Sequence, residues 1–305
     1  MPYGRKAKKM NFIKKTAVYA AAALMLLTAV PFSASAEEKA PDPIAWYTFD
    51  DANNFGKDKM GKYDMTCHNG NGTPKSVKGA VGKAIELDGD YCLALPKDND
   101  FSGKVKSFTI AYYAQRSDRD NKRPWETPVS LAKFRIMHRV DDGNNDFMHV
   151  TIDREDWWIT QQFEQGTFSD ALNFYTLTVE VGNGKTVVTY YLNGVKVGDA
   201  KSYDKEYSYA DGGLTFAVGA QANADGWYYA GNEHCFKGVI DEVRVWDKAL
   251  TAEQVSAAAK ADKQPGGDND PTPTPTPPTS DGVAAVCAVL VAAAGAAVIA
   301  KKKRG

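Results

Sequence analysis

Apolar and polar residues alternate with a period of two through most of the chain between residues 41 and 250, and this pattern predicts strands. The clearest case is segment 236–250, which has two faces: Val239, Val243 and Val245 on one, and Ile240, Glu242, Arg244 and Trp246 on the other. Asp241 is in phase with the valines, so the pattern places a carboxylate on the core face. A buried carboxylate needs hydrogen bonds, a cation or a metal.

Further strands are predicted by the same alternation at residues 41–51, 107–114, 131–138, 147–153, 157–163, 174–181, 185–198 and 214–220. Segment 79–96 is predicted to be a hairpin that turns at Asp88-Gly89, and two Asn-Gly pairs predict the turns of a meander between 174 and 198. The polar loop 115–128 separates two strands, and the acidic segment 141–146 is predicted to be a solvated hairpin tip. A capping-box pattern at Thr251 and Gln254 predicts one short helix over 252–261.

Four of these motifs together resemble laminin G-like domains of the concanavalin A-like lectin/glucanase superfamily. They are the strand 238–246 followed by Ala-Leu-Thr-Ala-Glu, the segment 79–96, the strand 191–198 and the opening aromatic-Phe-Asp strand. The resemblance covers residues 42–258 and implies an all-β concanavalin A-like jelly-roll sandwich of two antiparallel sheets with one short C-terminal helix. It does not select one function, because the superfamily contains lectins, polysaccharide hydrolases, adhesion modules and spacers.

The two ends of the chain predict export and anchoring. A basic start, an apolar run over 16–32 and an Ala-Ser-Ala site predict a signal peptide at residues 1–36. The predicted domain, 37–261, is followed by a Pro/Thr-rich stalk at 262–281 and by an apolar segment with a basic end at 282–305, which predicts a separate membrane-spanning helix. Residues 278–281 resemble Gram-positive sorting signals, although Ser280 stands where a glycine is expected. We therefore expect an extracellular domain anchored to the membrane or the cell wall.

The charge of the chain restricts its possible partners, and its cysteines restrict its possible disulfides. Outside the basic ends, 27 basic residues face 38 acidic residues, which argues against a nucleic-acid partner. We expect a monomer. Three cysteines, Cys67, Cys92 and Cys235, lie outside the apolar tail and allow one disulfide or none.

The resemblance implies a structural calcium ion (Ca2+) at Asp241, with Asp50 or Gly89 as further ligands. Calcium takes six to eight oxygen ligands, so two carboxylates with carbonyls and water would suffice. The alternative is that Asp241 accepts hydrogen bonds from backbone N–H groups of a loop.

Aromatic side chains on loops and strands are the candidates for binding a glycan, because sugar rings stack on aromatic faces. The candidates are Trp125, Trp157, Trp158, Trp227, Tyr228 and Tyr229. Neighbouring Trp157 and Trp158 point to opposite faces of a strand, so one of them is expected to be open to a ligand. The residues His138, His149 and His234 have no metal-ligand spacing and are predicted to be structural.

No catalytic motif is evident in the sequence. The Glu-x-Asp-x-x-Glu strand of the superfamily's laminarinase-type hydrolases is missing, and Glu155 and Asp156 diverge as neighbours on a chain. The sequence therefore predicts a non-enzymatic, surface-displayed, lectin-like module that binds a glycan or polysaccharide. Two alternatives are an adhesion or spacer module that binds a protein, and a glycoside hydrolase with unrecognised carboxylates.

Overall fold

The computed structural model describes residues 38–69, 74–117, 125–152, 158–209, 213–226 and 234–262. Within these ranges the chain forms fifteen strands and one α-helix. The elements are β1 Ala45–Tyr47, β2 Thr66–Asn69, β3 Lys75–Lys78, β4 Lys83–Asp88, β5 Tyr91–Ala94, β6 Phe108–Arg116, β7 Trp125–Leu131, β8 Phe134–Val140, β9 Asp146–Ile152, β10 Trp158–Phe163, β11 Asn173–Gly182, β12 Lys185–Leu192, β13 Val195–Tyr203, β14 Phe216–Val218, β15 Lys237–Trp246 and α1 Ala252–Ala261.

The strands pack as two sheets, here called sheet A and sheet B. Sheet A has the order β13-β12-β11-β6-β15-β4-β3, with β1 also paired to β15, and sheet B has the order β10-β9-β8-β7-β14-β5-β2. The paired strands are antiparallel throughout. The predicted jelly-roll sandwich is confirmed.

Side chains from both sheets fill the space between them, as alternation predicts for sheets that pack face to face. Phe108, Tyr112 and Ile240 enter this core from sheet A, and Phe134 and Val150 enter it from sheet B. A second, smaller apolar cluster covers the outer face of sheet A, where Trp246 packs with α1. Helix α1 therefore covers the outer face of sheet A and does not cover the outer face of sheet B.

The predicted helix forms with the predicted cap. The Thr251 Oγ1 accepts a hydrogen bond from the Gln254 N–H at 3.2 Å, and the Gln254 Oε1 accepts one from the Thr251 N–H at 3.1 Å. Each bond satisfies a backbone donor that the first helical turn leaves unpaired. The capping box therefore fixes where α1 begins.

Both Asn-Gly turns of the predicted meander are present. Asn183 and Gly184 join β11 to β12 with φ values of 54° and 75°, and Asn193 and Gly194 join β12 to β13 with 52° and 82°. Two successive positive φ values match a turn whose twist follows that of the flanking strands.

The prediction of a hairpin over 79–96 is wrong. Strand β4 pairs with β15 and β3 in sheet A, whereas β5 pairs with β14 and β2 in sheet B. The turn at Asp88-Gly89, where Gly89 has a φ of 89°, carries the chain from one sheet to the other. Alternation predicts that both segments are strands, but it holds no information on which sheet each strand joins.

The prediction that Asp241 faces the core is also wrong, because a β-bulge interrupts β15. The pairing of β15 with β6 shifts register between Asp241 and Arg244, and Glu242 has a φ of 50°. The extra residue reverses the phase of the strand. Ile240 therefore faces the core, whereas Asp241 pairs with Tyr113 of the cluster on the outer face of sheet A.

The polar loop expected at 115–128 is shorter than predicted, because Trp125 begins a strand. Strand β7 ends at Leu131, and residues 132–133 turn the chain into β8. A bulge between Glu126 and Val129 breaks the alternation of β7, which explains why the period of two did not reveal it.

The predicted signal peptide, the stalk beyond residue 262 and the apolar tail lie outside the described residues. Contacts along the chain divide it into a unit of residues 1–259, which contains both sheets, and a unit of residues 260–305, of which residues 260–262 are described. In the part of the chain that the structure describes, no helix is long and apolar enough to cross a membrane.

Candidate functional site

The outer face of sheet B carries a row of large side chains across four neighbouring strands. Trp125 of β7 pairs with Arg139 of β8, Arg139 pairs with Phe147 of β9, and Phe147 pairs with Gln162 of β10. Core residues occupy the alternate positions of these strands, so the four side chains share the outer face. With strands about 4.8 Å apart, this row, here called the outer row, is roughly 14 Å long.

The outer row is open to solvent, whereas the row behind it is largely buried. Trp125, Arg139 and Phe147 are half-buried, and Gln162 is exposed. Behind them lie Met137 and His149, at 1% and 6% exposure, and the exposed Thr160 at the sheet edge. A ligand on this face would therefore meet the outer row first.

Two side chains from the neighbouring strands β8 and β9 contact Trp125. The Arg139 guanidinium lies 4.5 Å from the centre of the Trp125 ring, and the His149 ring lies 5.0 Å from it at 55°. Thr160 Oγ1 and His149 Nδ1 are 2.8 Å apart, within hydrogen-bonding distance. The guanidinium therefore packs against the indole ring, since cations are attracted to the faces of aromatic rings.

Arg139 brings a positive charge to the outer row, and this charge acts on neighbouring titratable groups. Burial, and then the charge of Arg139, lower the pKa of His149 to about 4, so this ring is neutral near pH 7. The pKa of Asp141 is also lowered, first by hydrogen bonds from Asn145 and last by Arg139. The described positions of the outer row and of the row behind it include no carboxylate.

A set of buried polar groups lies directly beneath the outer row, inside the sandwich. The Arg116 Nε is 3.2 Å from the Glu126 Oε2, and both side chains are at most 1% exposed. Tyr112 Oη and His138 Nε2 are 2.9 Å apart. Burial, with the charge of Arg116, holds the pKa of His138 well below its usual range, so the ring is neutral near pH 7. These contacts tie β6, β7 and β8 together under Trp125.

Of the predicted glycan-binding residues, Trp125 is the one whose side chain the structure places. Trp158 begins β10 and pairs with Thr151, and its side chain lies outside the described part. Trp157, Trp227, Tyr228 and Tyr229 fall outside the described residues altogether. His149, predicted to be structural, packs against Trp125, while the ring of His234 approaches the Trp125 carbonyl oxygen at 3.1 Å.

Sequence reasoning missed Arg139, Phe147 and Gln162 as members of a common site. One signal was available, because a hairpin centred on Gly143 brings residues equally distant from it into register and so pairs Arg139 with Phe147. The β7–β8 pairing, by contrast, contains a bulge that no local pattern indicates.

At the predicted metal site, Asp241 accepts hydrogen bonds from backbone N–H groups. Its Oδ2 accepts from Ala80 at 2.8 Å and Val81 at 3.1 Å, and its Oδ1 accepts from Glu242 at 2.8 Å. Burial raises the pKa of Asp241 to about 8, because the three hydrogen bonds offset only part of its desolvation. These contacts match the alternative drawn from the sequence, in which the Asp241 carboxylate accepts hydrogen bonds from backbone N–H groups of a loop.

The structure brings Asp50, but not Gly89, to the segment that Asp241 contacts. Asp50 Oδ1 accepts a hydrogen bond from the Lys83 N–H at 2.9 Å, so both carboxylates bind the turn 79–83. Lys237 pairs with Asp88 and Ile240 with Ile85, which places Gly89 about 17 Å along the strands from the position opposite Asp241. Donors rather than acceptors surround Asp241, and no group of three acidic, histidine or cysteine side chains fit for a metal occurs among the described residues.

No disulfide bond joins Cys67, Cys92 and Cys235 in the described part of the chain. Cys67 is exposed on β2, whereas Cys92 and Cys235 are buried in one cluster of small side chains.

Comparison with known proteins gives a family and a set of similar structures. Residues 87–256 match the family model Laminin_G_3, described as the concanavalin A-like lectin/glucanases superfamily. No curated protein sequence matches the chain.

Two of the similar solved structures are domains of larger extracellular proteins or toxins. Domain 4 of AbnA, a GH43 extracellular arabinanase from Geobacillus stearothermophilus, in complex with arabinotriose, is 25% identical with a TM-score of 0.48, and the match covers 73% of this chain and 100% of that domain. The binding domain of botulinum neurotoxin serotype D/C VPI 5993 is 12% identical with a TM-score of 0.51, and the match covers 73% of this chain and 53% of that one. The second likeness describes a shared fold.

Proposed function

Because the chain belongs to the concanavalin A-like lectin/glucanase superfamily, we propose that it is a carbohydrate-binding module whose ligand lies along the outer row of sheet B. The observation that carries the proposal is the row of partly exposed side chains, Trp125, Arg139, Phe147 and Gln162, across four neighbouring strands of sheet B. A saccharide presents apolar ring faces and a rim of hydroxyl groups. The outer row offers the matching surfaces, which are aromatic rings next to hydrogen-bonding side chains.

The outer row is also rigid enough to bind without rearrangement. Each of its residues stands on a strand, and Trp125 is fixed by the Arg139 guanidinium and by the His149 ring. Side chains that are already ordered lose little conformational freedom when a ligand arrives. This favours a preformed site over one that a loop closes.

A glycan-array screen of the full-length chain tests the proposal. We expect binding to a defined group of glycans, and we expect Trp125→Ala and Phe147→Ala each to weaken that binding at least tenfold, because truncation removes the aromatic surface. Exposed Val195 on β13 provides a control, since Val195→Ala removes exposed apolar surface from a strand of sheet A that contributes nothing to the outer row. Binding that survives both substitutions on sheet B would overturn the assignment of the site, and a blank array from folded protein would favour a protein ligand.

The absence of catalysis is part of the proposal. Glycoside hydrolysis with retention or inversion uses two carboxyl groups that flank the scissile bond. Arginine, histidine, glutamine and threonine, but no acid, stand at the outer-face positions described for β7 to β10. We expect no release of reducing sugar from any polysaccharide that the chain binds. Measurable hydrolysis would instead support the alternative of a glycosidase with unrecognised carboxylates.

Export and display at the cell surface, with the stalk as a spacer, complete the proposed function. The support is the sequence of the two ends, a signal-peptide pattern at 1–36 and a Pro/Thr-rich stalk followed by an apolar segment. Protease treatment of intact cells should release the domain. Protein that can be extracted from the membrane would indicate a membrane anchor. Protein that is released only by digestion of the cell wall would indicate covalent attachment to the wall.

Calcium binding stays a prediction, and the hydrogen bonds to Asp241 do not favour it. A thermal melt with calcium and with chelator decides between the two roles. A melting temperature that is equal in both solutions, but lower in Asp241→Ala, would assign the carboxylate to the turn 79–83. A fall on chelation that Asp241→Ala abolishes would restore the metal site.

A further inference from the structure

We propose that the outer row selects saccharides that carry a carboxylate group, with Arg139 as the residue that binds this group. The inference rests on the proposed carbohydrate function of the same row and adds the chemical class of the ligand. It is carried by the Arg139 guanidinium, which lies against an aromatic ring and forms no ion pair with an acid among the described residues.

Arg139 differs from the buried arginines Arg116 and Arg244 in what it contacts. Arg116 forms an ion pair with Glu126 inside the sandwich, and Arg244 forms one with Glu242 on the outer face of sheet A. Arg139 forms no ion pair with a carboxylate of the described chain, and its Nε is buried without a hydrogen-bond partner there. Its guanidinium lies against Trp125 instead.

Asp141, the acid nearest to Arg139 in sequence, is engaged by other groups, and Glu164 lies beyond the row. Asp141 Oδ1 accepts hydrogen bonds from the N–H groups of Gly143 and Asn145 at 2.9 and 2.8 Å, and the Asn145 side-chain amide reaches both of its oxygens. Glu164 follows the last residue of β10 and is exposed. Arg139 is therefore placed to receive an anion from outside the chain.

The stacked arrangement matches a carboxylate better than a neutral hydroxyl group. A guanidinium is planar and presents two parallel N–H groups, the geometry that a carboxylate accepts bidentately. Because the guanidinium already packs against Trp125 at 4.5 Å from the ring centre, binding requires little further ordering of a long side chain. Phe147, next along the row, then meets the ring of the same sugar.

The local charge is opposite to that of the rest of the domain. Outside its basic ends the chain has 27 basic and 38 acidic residues, so the field of the whole domain repels anions. At the outer row the described positions include the cation Arg139 and no acid. Because the rest of the domain is acidic, an anionic sugar is bound only where it contacts the guanidinium. This favours recognition of one specific anionic group over long-range attraction of any anion.

The experiment compares acidic polysaccharides with their carboxyl-reduced forms. Calorimetric titrations of the full-length chain use polygalacturonate, alginate and hyaluronan, each paired with the same polymer after reduction of its carboxyl groups, and dextran sulfate as an anion without carboxylates. We expect at least one acidic polymer to bind about tenfold or more tighter than its reduced partner, the effect of one charge-assisted hydrogen bond. Dextran sulfate should bind more weakly than that polymer.

Two variants assign the preference to Arg139. Arg139→Gln should remove the preference, and Arg139→Lys, which keeps the charge but loses the planar fork, should restore only part of it. Lys196→Gln, the same change of charge on exposed β13, should leave it intact. Thermal melts of all variants separate lost binding from lost folding.

Three outcomes overturn the inference. Equal binding of acidic and reduced polymers, unchanged in Arg139→Gln, would leave carbohydrate binding in place but remove the carboxylate preference. Equal or tighter binding of dextran sulfate would indicate recognition of charge alone. No binding to any polymer of either kind would count against the inference and, with a blank glycan array, against the proposed function as well.

Discussion

The ion pair between Arg116 and Glu126 offers a sharp test of the structure, because it lies in the core directly beneath the outer row. Both side chains are at most 1% exposed, and the Nε–Oε2 distance is 3.2 Å. Glu126 Oε2 also accepts the Lys237 N–H at 3.3 Å. Removing one partner leaves the other charge buried, and breaking such a pair costs about 3–5 kcal/mol. We therefore expect Glu126→Leu and Arg116→Met each to lower the free energy of unfolding by about that amount.

The double variant carries the decisive comparison. Replacing both charges by apolar side chains of similar volume removes the desolvation penalty together with the attraction, so such replacements are often neutral or stabilising. We expect the double variant to be more stable than either single variant, with an interaction free energy of about 3 kcal/mol or more. Urea unfolding at pH 7, followed by tryptophan fluorescence and by circular dichroism, measures each corner of the cycle.

Two results would refute this reasoning. A cost below about 1 kcal/mol for Glu126→Leu, the usual magnitude for an exposed ion pair, would mean that water reaches the pair. Additive costs in the double variant would mean that the two charges do not interact. Glycan affinity measured on the same variants would show whether the pair also positions Trp125, the neighbour of Glu126 in β7.

Three further predictions concern the turns, the pH response and the helix. In chemical unfolding, Gly194→Ala should lower the stability of the domain by about 1–3 kcal/mol, and Gly184→Ala should lower it by less. Both glycines have positive φ, but a Cβ at Gly194 would collide with α1, whereas the space around Gly184 is open. Stability should fall as the pH drops below about 6.5, because the pKa values of His138 and His149 are held below their unfolded values and the unfolded state takes up protons that the folded state does not. The raised pKa of Asp241 acts in the opposite direction and offsets part of this loss. Unfolding titrations that show no loss between pH 6.5 and 5 would contradict the burial of these two rings. Thr251→Ala removes the acceptor for the Gln254 N–H and should cost about 1 kcal/mol, measurable as a lower midpoint in urea, whereas Thr251→Ser should preserve the cap.

Local chemistry determined those features of the chain that depend on neighbours in sequence. The Asn-Gly pairs at 183–184 and 193–194 favour two consecutive positive φ values wherever they occur, so the meander was predictable. The helix 252–261 was predictable because Thr251 and Gln254 satisfy each other's backbone donors within one turn. Alternation likewise identified most strands, since a face buried against the opposite sheet must be apolar along its length.

Tertiary structure alone decided the features that depend on pairing between distant segments. A period of two shows that 83–88 and 91–94 are strands, but the sheet that each one joins is set by partners far away in sequence. The bulge at Asp241 and Glu242 reverses the phase of β15 to keep Ile240 and Val243 both in the core, and no local rule indicates it. The outer row belongs to the same class, because the pairing of Trp125 with Arg139 depends on a register across the bulge of β7, and that register is fixed by how the whole core packs.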